Sequence, residues 1–173
     1  GSGWASRTNN PNSGANSVFA SDPASVGESF LESPVLAVSS SAAIVTFKLA
    51  SNTETGFDGM VLDIKIGAGA YQDIIDAGGS FNAGGYNETI STGFDSPIAG
   101  RMAWSGDSGG YIDVEVQLPA AADNENVQLR WNMATDVSVS DVGVDIDDFS
   151  FVGSFVCDPV APAGAKFDFD GDS

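Results

Sequence analysis

The sequence predicts an all-β fold, an antiparallel sandwich, on three observations. Apolar and polar residues alternate over several stretches, the period at which a strand turns one face to a core. Turn formers punctuate those stretches: 21 glycines stand among the 173 residues, with many Ser, Asn and Asp. No stretch repeats apolar residues at helical spacing, which leaves short strands joined by turns. At this length, with 42% apolar residues, the chain suits one domain with a real core.

Taken in order, residues 1–18 are polar and turn-prone, with Trp4 placed to cover a core edge. The stretch 19–26 carries Asp22-Pro23 and leads into a strand over 29–38, in which Pro34 marks an edge or a bulge. The stretch 42–50 is β-rich with Val45, Phe47 and Leu49 inward, and 51–56 is a loop. The next strand, 57–66, turns Met60, Leu62, Ile64 and Ile66 inward and Val61, Asp63 and Lys65 outward. A hairpin-type turn at 67–70 precedes a short strand over 71–75. From 76 to 110 the chain is Gly-rich, with β-like pieces near 86–90 and 101–104; such a segment is a functional surface loop or a meander over one edge. Clean alternation returns at 111–118, with Ile112, Val114, Val116 and Leu118 inward, and at 126–133, with Val127, Leu129, Trp131 and Met133 inward.

The stretch 141–151 closes the set. Val142, Val144 and Ile146 share one face, and Asp141, Asp145 and Asp147 the other. The alternation breaks at Asp147-Asp148, after which Phe149 and Phe151 fall on the polar side. Either a bulge resets the register or a carboxylate is held at the core edge, where it needs a partner or a metal. Cationic side chains are scarce, so a calcium ion is the first candidate. Beyond 153 the composition shifts to Pro and Ala, a linker signature. The expected domains are 1–155, a sandwich, and 156–173, a linker and the start of a following acidic repeat.

Six Lys and Arg face 24 Asp and Glu, a net charge of −18. That argues against nucleic acid, whose binding rests on cationic neutralisation of phosphate, and against anionic membrane surfaces. No apolar run is long enough to span a bilayer, and no basic-apolar signal peptide is present. Gly1-Ser2-Gly3 reads as an appended tag, which leaves a preceding signal open. Cys157 is alone, with no internal disulfide partner; it is an unpaired thiol or pairs outside these residues. The absence of histidine removes Ser-His-Asp and Cys-His catalysis and His-ligated zinc.

Gly106-Asp-Ser-Gly-Gly110 has the form of a serine-protease nucleophile motif, but without an imidazole base Ser108 has nothing to activate it. A tight turn uses the same residues. Asp168-Phe-Asp-Gly-Asp172 resembles the opening of a calcium loop that ends before a bidentate Glu. Glu54 and Asp58 sit in a turn between two strong strands, where they are calcium ligands or solvated turn residues; Asp22 alone is a weaker candidate. Glycoside hydrolysis needs a carboxylate pair across a cleft, and no local pattern singles one out. Tyr86, Trp104 and Tyr111 are either sugar-stacking surface aromatics or core residues. Asn87-Glu-Thr89 has the form of a glycosylation sequon.

Several stretches, in order, carry a family likeness: Asn12-Ser-Gly14, Ser33-Pro34, Glu54 with Phe57-Asp-Gly-Met-Val-Leu-Asp63, Gly100-Arg-Met-Ala-Trp-Ser-Gly106, Val127-Gln-Leu-Arg-Trp131 and Ile146-Asp-Asp-Phe149. Over about residues 4–155 the chain resembles the MAM-like jelly-roll domains, similar to cleaved-adhesin domains, that accompany secreted bacterial peptidases and large surface proteins. The tail 165–173 resembles the start of an FG-GAP/VCBS-type repeat. The resemblance implies a two-sheet jelly roll without catalytic residues. It also implies a structural calcium held by Glu54, Asp58 and Asp148, with Asp22 and Asp147 beside them. The expected function is therefore a calcium-stabilised, non-catalytic accessory domain, secreted or at a cell surface. It would serve adhesion or substrate targeting beside neighbouring domains and bind a glycan or protein. The alternative is a carbohydrate-binding module using Tyr86, Trp104 and the 76–110 loop.

Overall fold

The computed structural model describes residues 3–153 and the backbone of 165–166. Its strands are β1 (Ala5–Arg7), β2 (Ser17–Ser21), β3 (Gly27–Glu32), β4 (Leu36–Ala37), β5 (Ile44–Asn52), β6 (Gly59–Ile66) and β7 (Gln72–Asp73). There follow β8 (Ser80–Ala83), β9 (Glu88–Thr89), β10 (Met102–Ala103), β11 (Ile112–Gln117), β12 (Asn126–Thr135), β13 (Gly143–Val152) and β14 (Ala165–Lys166). Cys157 and the acidic stretch 168–172 lie outside the described residues. Among those described, no helix is long and apolar enough to cross a membrane.

The pairing is that of a jelly roll. β2 pairs with β13, β3 with β12, β5 with β11 and β6 with β7, all antiparallel. These are nested hairpins, outermost strand to outermost strand, folded over into two sheets. One runs β1-β2-β13-β5-β11-β8 and the other β3-β12-β6-β7. Successive long strands cross from one sheet to the other, so each contributes its inward set to a single core.

The alternation in sequence sets which residues fill that core. Val45, Phe47 and Leu49 meet Met60, Leu62, Ile64, Leu129, Trp131 and Met133 across the gap, all buried. Phe47 lies edge-on to both Trp104 and Trp131, with centroids 5.8 and 5.5 Å apart, the geometry ring quadrupoles favour. Trp4 packs at the edge and donates its indole N–H to Ser29 O at 3.2 Å.

Several elements differ from expectation for physical reasons. The polar opening holds β1 and the start of β2 because Arg7 ion-pairs with Asp145 on the outer face of the first sheet, where Ser17 and Asn10 also donate to it. Pro34 splits the strand expected over 29–38 into β3 and β4, both paired to β12. Val61 and Asp63 face outward as expected, yet both are buried. The segment 86–104 folds over that outer face and forms a second small core of Val61, Ile90, Ile98, Ala103 and Ala134. The 76–110 stretch is thus a meander over a sheet edge and face.

The break at Asp147-Asp148 is a bulge. Pairing of β13 with β5 slips between Asp147 and Ser150, and Asp148 takes φ 50°. The extra residue returns Phe149 and Phe151 to the core, where both are buried.

Gly143, at the start of β13, has φ 119°, and a Cβ there would lie 2.1 Å from Ala20 O. Only glycine allows β2 to approach so closely. Gly143→Ala is expected to cost at least about 2 kcal/mol, read as a lower denaturation midpoint with unchanged m-value.

Candidate metal centre

Three loops meet at the end of the sandwich where β2, β5 and β12 finish and β6 and β13 begin. Ser21 and Asn52 both pair with Gly143, and Ala134 pairs with Gly59. Each loop brings a carboxylate: Asp22 after β2, Glu54 and Asp58 between β5 and β6, and Asp136 after β12. Ligand oxygens of Glu54, Asp58 and Asp136 lie within 4.8 Å of one another. Asp22 accepts the backbone N–H groups of Glu54 and Asp141, each at 3.3 Å, which ties the three loops together.

The cluster is built into the fold. The turn that carries it is fixed by Phe57 N and Asp58 N donating to Glu54 O, and by Ser105 Oγ donating to Asp58 O at 2.5 Å. Asp58, fully buried, accepts Asp136 N–H at 2.5 Å through Oδ1. Asp136 in turn accepts Ser138 N–H at 2.8 Å. Asp22, Asp58 and Asp136 are at most 3% exposed.

The backbone donors leave three carboxylate oxygens over. Asp22 Oδ1, Glu54 Oε2 and Asp58 Oδ2 are buried and receive no N–H or hydroxyl donor; Asp22 and Asp58 can bond only to each other, through a shared proton. Buried carboxylate oxygens without donors or countercharge are strongly unfavourable, and none of these loops carries a cation. Burial, followed by the hydrogen bond to Asp22, pushes Asp58 up to about 8. Burial also raises Asp22. Glu54 is raised first by burial and then by the charges of Asp136, Asp22 and Asp141. A proton held by Asp58 and shared with Asp22 is one remedy; a cation among the orphaned oxygens is the other. An all-oxygen, anionic donor set suits a hard divalent ion.

Three of the five residues expected as ligands, Asp22, Glu54 and Asp58, come together here. Asp147 and Asp148 lie farther along β13, at the bulge. Asp147 accepts Asn12 N–H at 2.7 Å and Asp148 accepts Asn12 Nδ2 at 2.6 Å, so the pair holds down the 12–13 turn. Sequence reasoning missed Asp136. The register held the clue: with Ala134 opposite Gly59, the residues after β12 must fall beside Asp58.

Of the three aromatics left open between sugar stacking and core packing, Trp104 is a core residue and Tyr86 packs half-buried against the core. Tyr111 is half-buried, its hydroxyl donating to Asn10 O at 2.6 Å. Trp104 is 2% exposed; its ring lies edge-on to Phe47, Phe81 and Tyr86, and its N–H donates to Gly84 O at 2.7 Å. Tyr86 packs beside it with its hydroxyl within hydrogen-bonding distance of Leu62 and Asp73. The Trp104 ring is enclosed by these neighbours and presents no face for a sugar. Ser108 donates to Gly110 O at 2.7 Å and accepts Ser51 N–H at 2.9 Å, in a turn where Gly106, Gly109 and Gly110 all have positive φ. Asn87 is similarly engaged, its amide bridging the N–H and C=O of Ser105.

No family model matches the chain, and comparison with the curated proteins gives no match.

Proposed function

We propose that this is a non-catalytic jelly-roll accessory domain, stabilised by a calcium ion, of a secreted or cell-surface protein, serving adhesion or substrate targeting. The observation that carries the ion is the set of buried carboxylate oxygens on Asp22, Glu54 and Asp58 that receive no N–H or hydroxyl donor, with ligand oxygens of Glu54, Asp58 and Asp136 grouped within 4.8 Å. Asp22, Glu54, Asp58 and Asp136, from three different loops, would hold the ion. The ion would supply the positive charge that no side chain there provides. It would join strand ends far apart in sequence, so its binding energy is stability. The MAM-like resemblance and the absence of histidine support the accessory, non-catalytic reading. The acidic composition agrees with an extracellular setting.

Titration calorimetry with calcium on chelator-treated protein tests this. Saturable binding is expected, weakened at least about tenfold in Asp58→Asn and Asp136→Asn, since each removes a charged ligand. Asp148→Asn is expected to bind as wild type. No heat of binding, together with no metal by elemental analysis, would sink the ion.

A further inference from the structure

The same end of the molecule has a second character. The loops 22–27, 53–58, 91–97, 105–110 and 136–142 all gather there. Ser91 N donates to Gly56 O, Thr53 N to Gly106 O and Ser108 N to Ser51 O, and Thr135 Oγ1 donates to Ser25 O at 2.7 Å. The carboxylates of the cluster are joined by Asp95, Asp107 and Asp141, all exposed, and none of these loops carries a lysine or arginine.

Among them stand Val26, Phe94, Val137, Val139 and Val142, each close to half exposed. Phe94 meets Phe57 edge-on at 5.1 Å. Val139 has φ 58°, a conformation that is costly for a β-branched residue. The loop 136–142 is anchored on both sides, at Asp136 and at Asp141, which holds Val139 at its tip with the side chain exposed. Val137, Val139 and Val142 thus put three exposed aliphatic groups on one short loop, beside Asp95, Asp107 and Asp141 and without a cationic side chain in these loops.

We propose that this end docks a polypeptide segment that is both cationic and aliphatic, with lysine or arginine interleaved among apolar residues. Charge complementarity selects that occupant. One divalent ion cancels two charges and leaves the end acidic. Anionic membranes and nucleic acid are repelled, and a second copy would present the same acidic end. The proposal rests on the ion reading only in that the ion would brace the loop 136–142.

The probe is a short synthetic peptide of alternating lysine and leucine, with glutamate–leucine and lysine–serine counterparts. Each is titrated by calorimetry into the full chain, with calcium and with chelator. The lysine–leucine peptide is expected to bind, the glutamate–leucine peptide not to bind, and the lysine–serine peptide to bind at least about tenfold more weakly. The V137S/V139S variant is expected to lose about tenfold in affinity for lysine–leucine. V35S/V152S, which alters the opposite end of the sandwich, is expected to bind as wild type. Equal affinity for lysine–serine, equal effects of the two double variants, concentration-dependent dimerisation, or capture by phosphatidylserine vesicles overturns the docking surface. A calcium-dependent melting shift without peptide binding overturns this proposal alone. Peptide binding confined to this end without such a shift overturns the ion and leaves the surface standing.

Discussion

Chelating divalent ions at about pH 8 is expected to lower the melting temperature of the domain by about 5–10 °C, and acidifying the chelated protein to about pH 5.5 to recover part of that loss. The first half follows from mass action. Calcium at about a hundredfold over its dissociation constant adds about 2.7 kcal/mol, and in a domain of this size 1 kcal/mol moves the melting point by about 2–4 °C. The second half follows from linkage. Asp58 rises from 3.8 to about 8 on folding, so between those values the folded, metal-free state binds more protons than the unfolded chain. Stability then falls as pH rises through that window. Asp22 and Glu54 are raised too and act in the same direction. With calcium bound the ion replaces the proton, so the loaded protein is expected to lose less on going from about pH 5.5 to 8, and loading at low pH to release protons. Differential scanning calorimetry across this grid is the check. A chelated protein that grows more stable from about pH 5.5 to 8 contradicts the linkage.

Much of this was legible in the sequence, and the gaps have physical causes. Alternation at 112–118 and 127–133 places Val114, Val116, Leu129 and Trp131 correctly because a strand with one buried face repeats every two residues. The break at Asp147-Asp148 was equally visible. Its cause was not, because a bulge and a metal-held carboxylate leave the same mark in one strand; only pairing with β5 separates them. Glu54 and Asp58 stand out in the sequence because a turn between two strong strands draws attention to its polar residues. Asp22 could be placed only by its position ahead of the first long strand and by the family likeness. Asp136 could not, since its neighbour in space is 78 positions away. Trp104 lies in a Gly-rich stretch without periodicity, where nothing local tells a core indole from a surface one.

The second large effect is expected away from the metal centre, on the outer face of the second sheet. Asp63 is 3% exposed and joins two arginines, with Arg101 at 2.6 Å and Arg130 at 2.8 Å. Arg101 also reaches Asp73 at 2.8 Å, while the Arg130 guanidinium lies over the rings of Phe30 and Tyr71, at 4.5 and 4.1 Å. Asp63→Ala leaves Arg101 with one carboxylate and Arg130 with aromatic faces only. Breaking a buried pair this way costs about 3–5 kcal/mol. The arginine side chains are 31% and 23% exposed, so solvent recovers part of that and about 2–4 kcal/mol is expected. The loss has a location as well as a size. Arg101 belongs to the segment that covers Val61 and Ala134, so amide exchange should accelerate across residues 90–103 before the core strands respond. Arg101→Ala should reproduce the exchange pattern at smaller cost, because Asp63 keeps Arg130. In a double-mutant cycle the two changes should be strongly non-additive. Calcium affinity should be unchanged in both, since Asp63 is five positions along β6 from Asp58 and its carboxylate faces the arginines. A loss below about 1 kcal/mol in Asp63→Ala, or additivity with Arg101→Ala, would show that apolar packing alone holds the 86–104 segment in place.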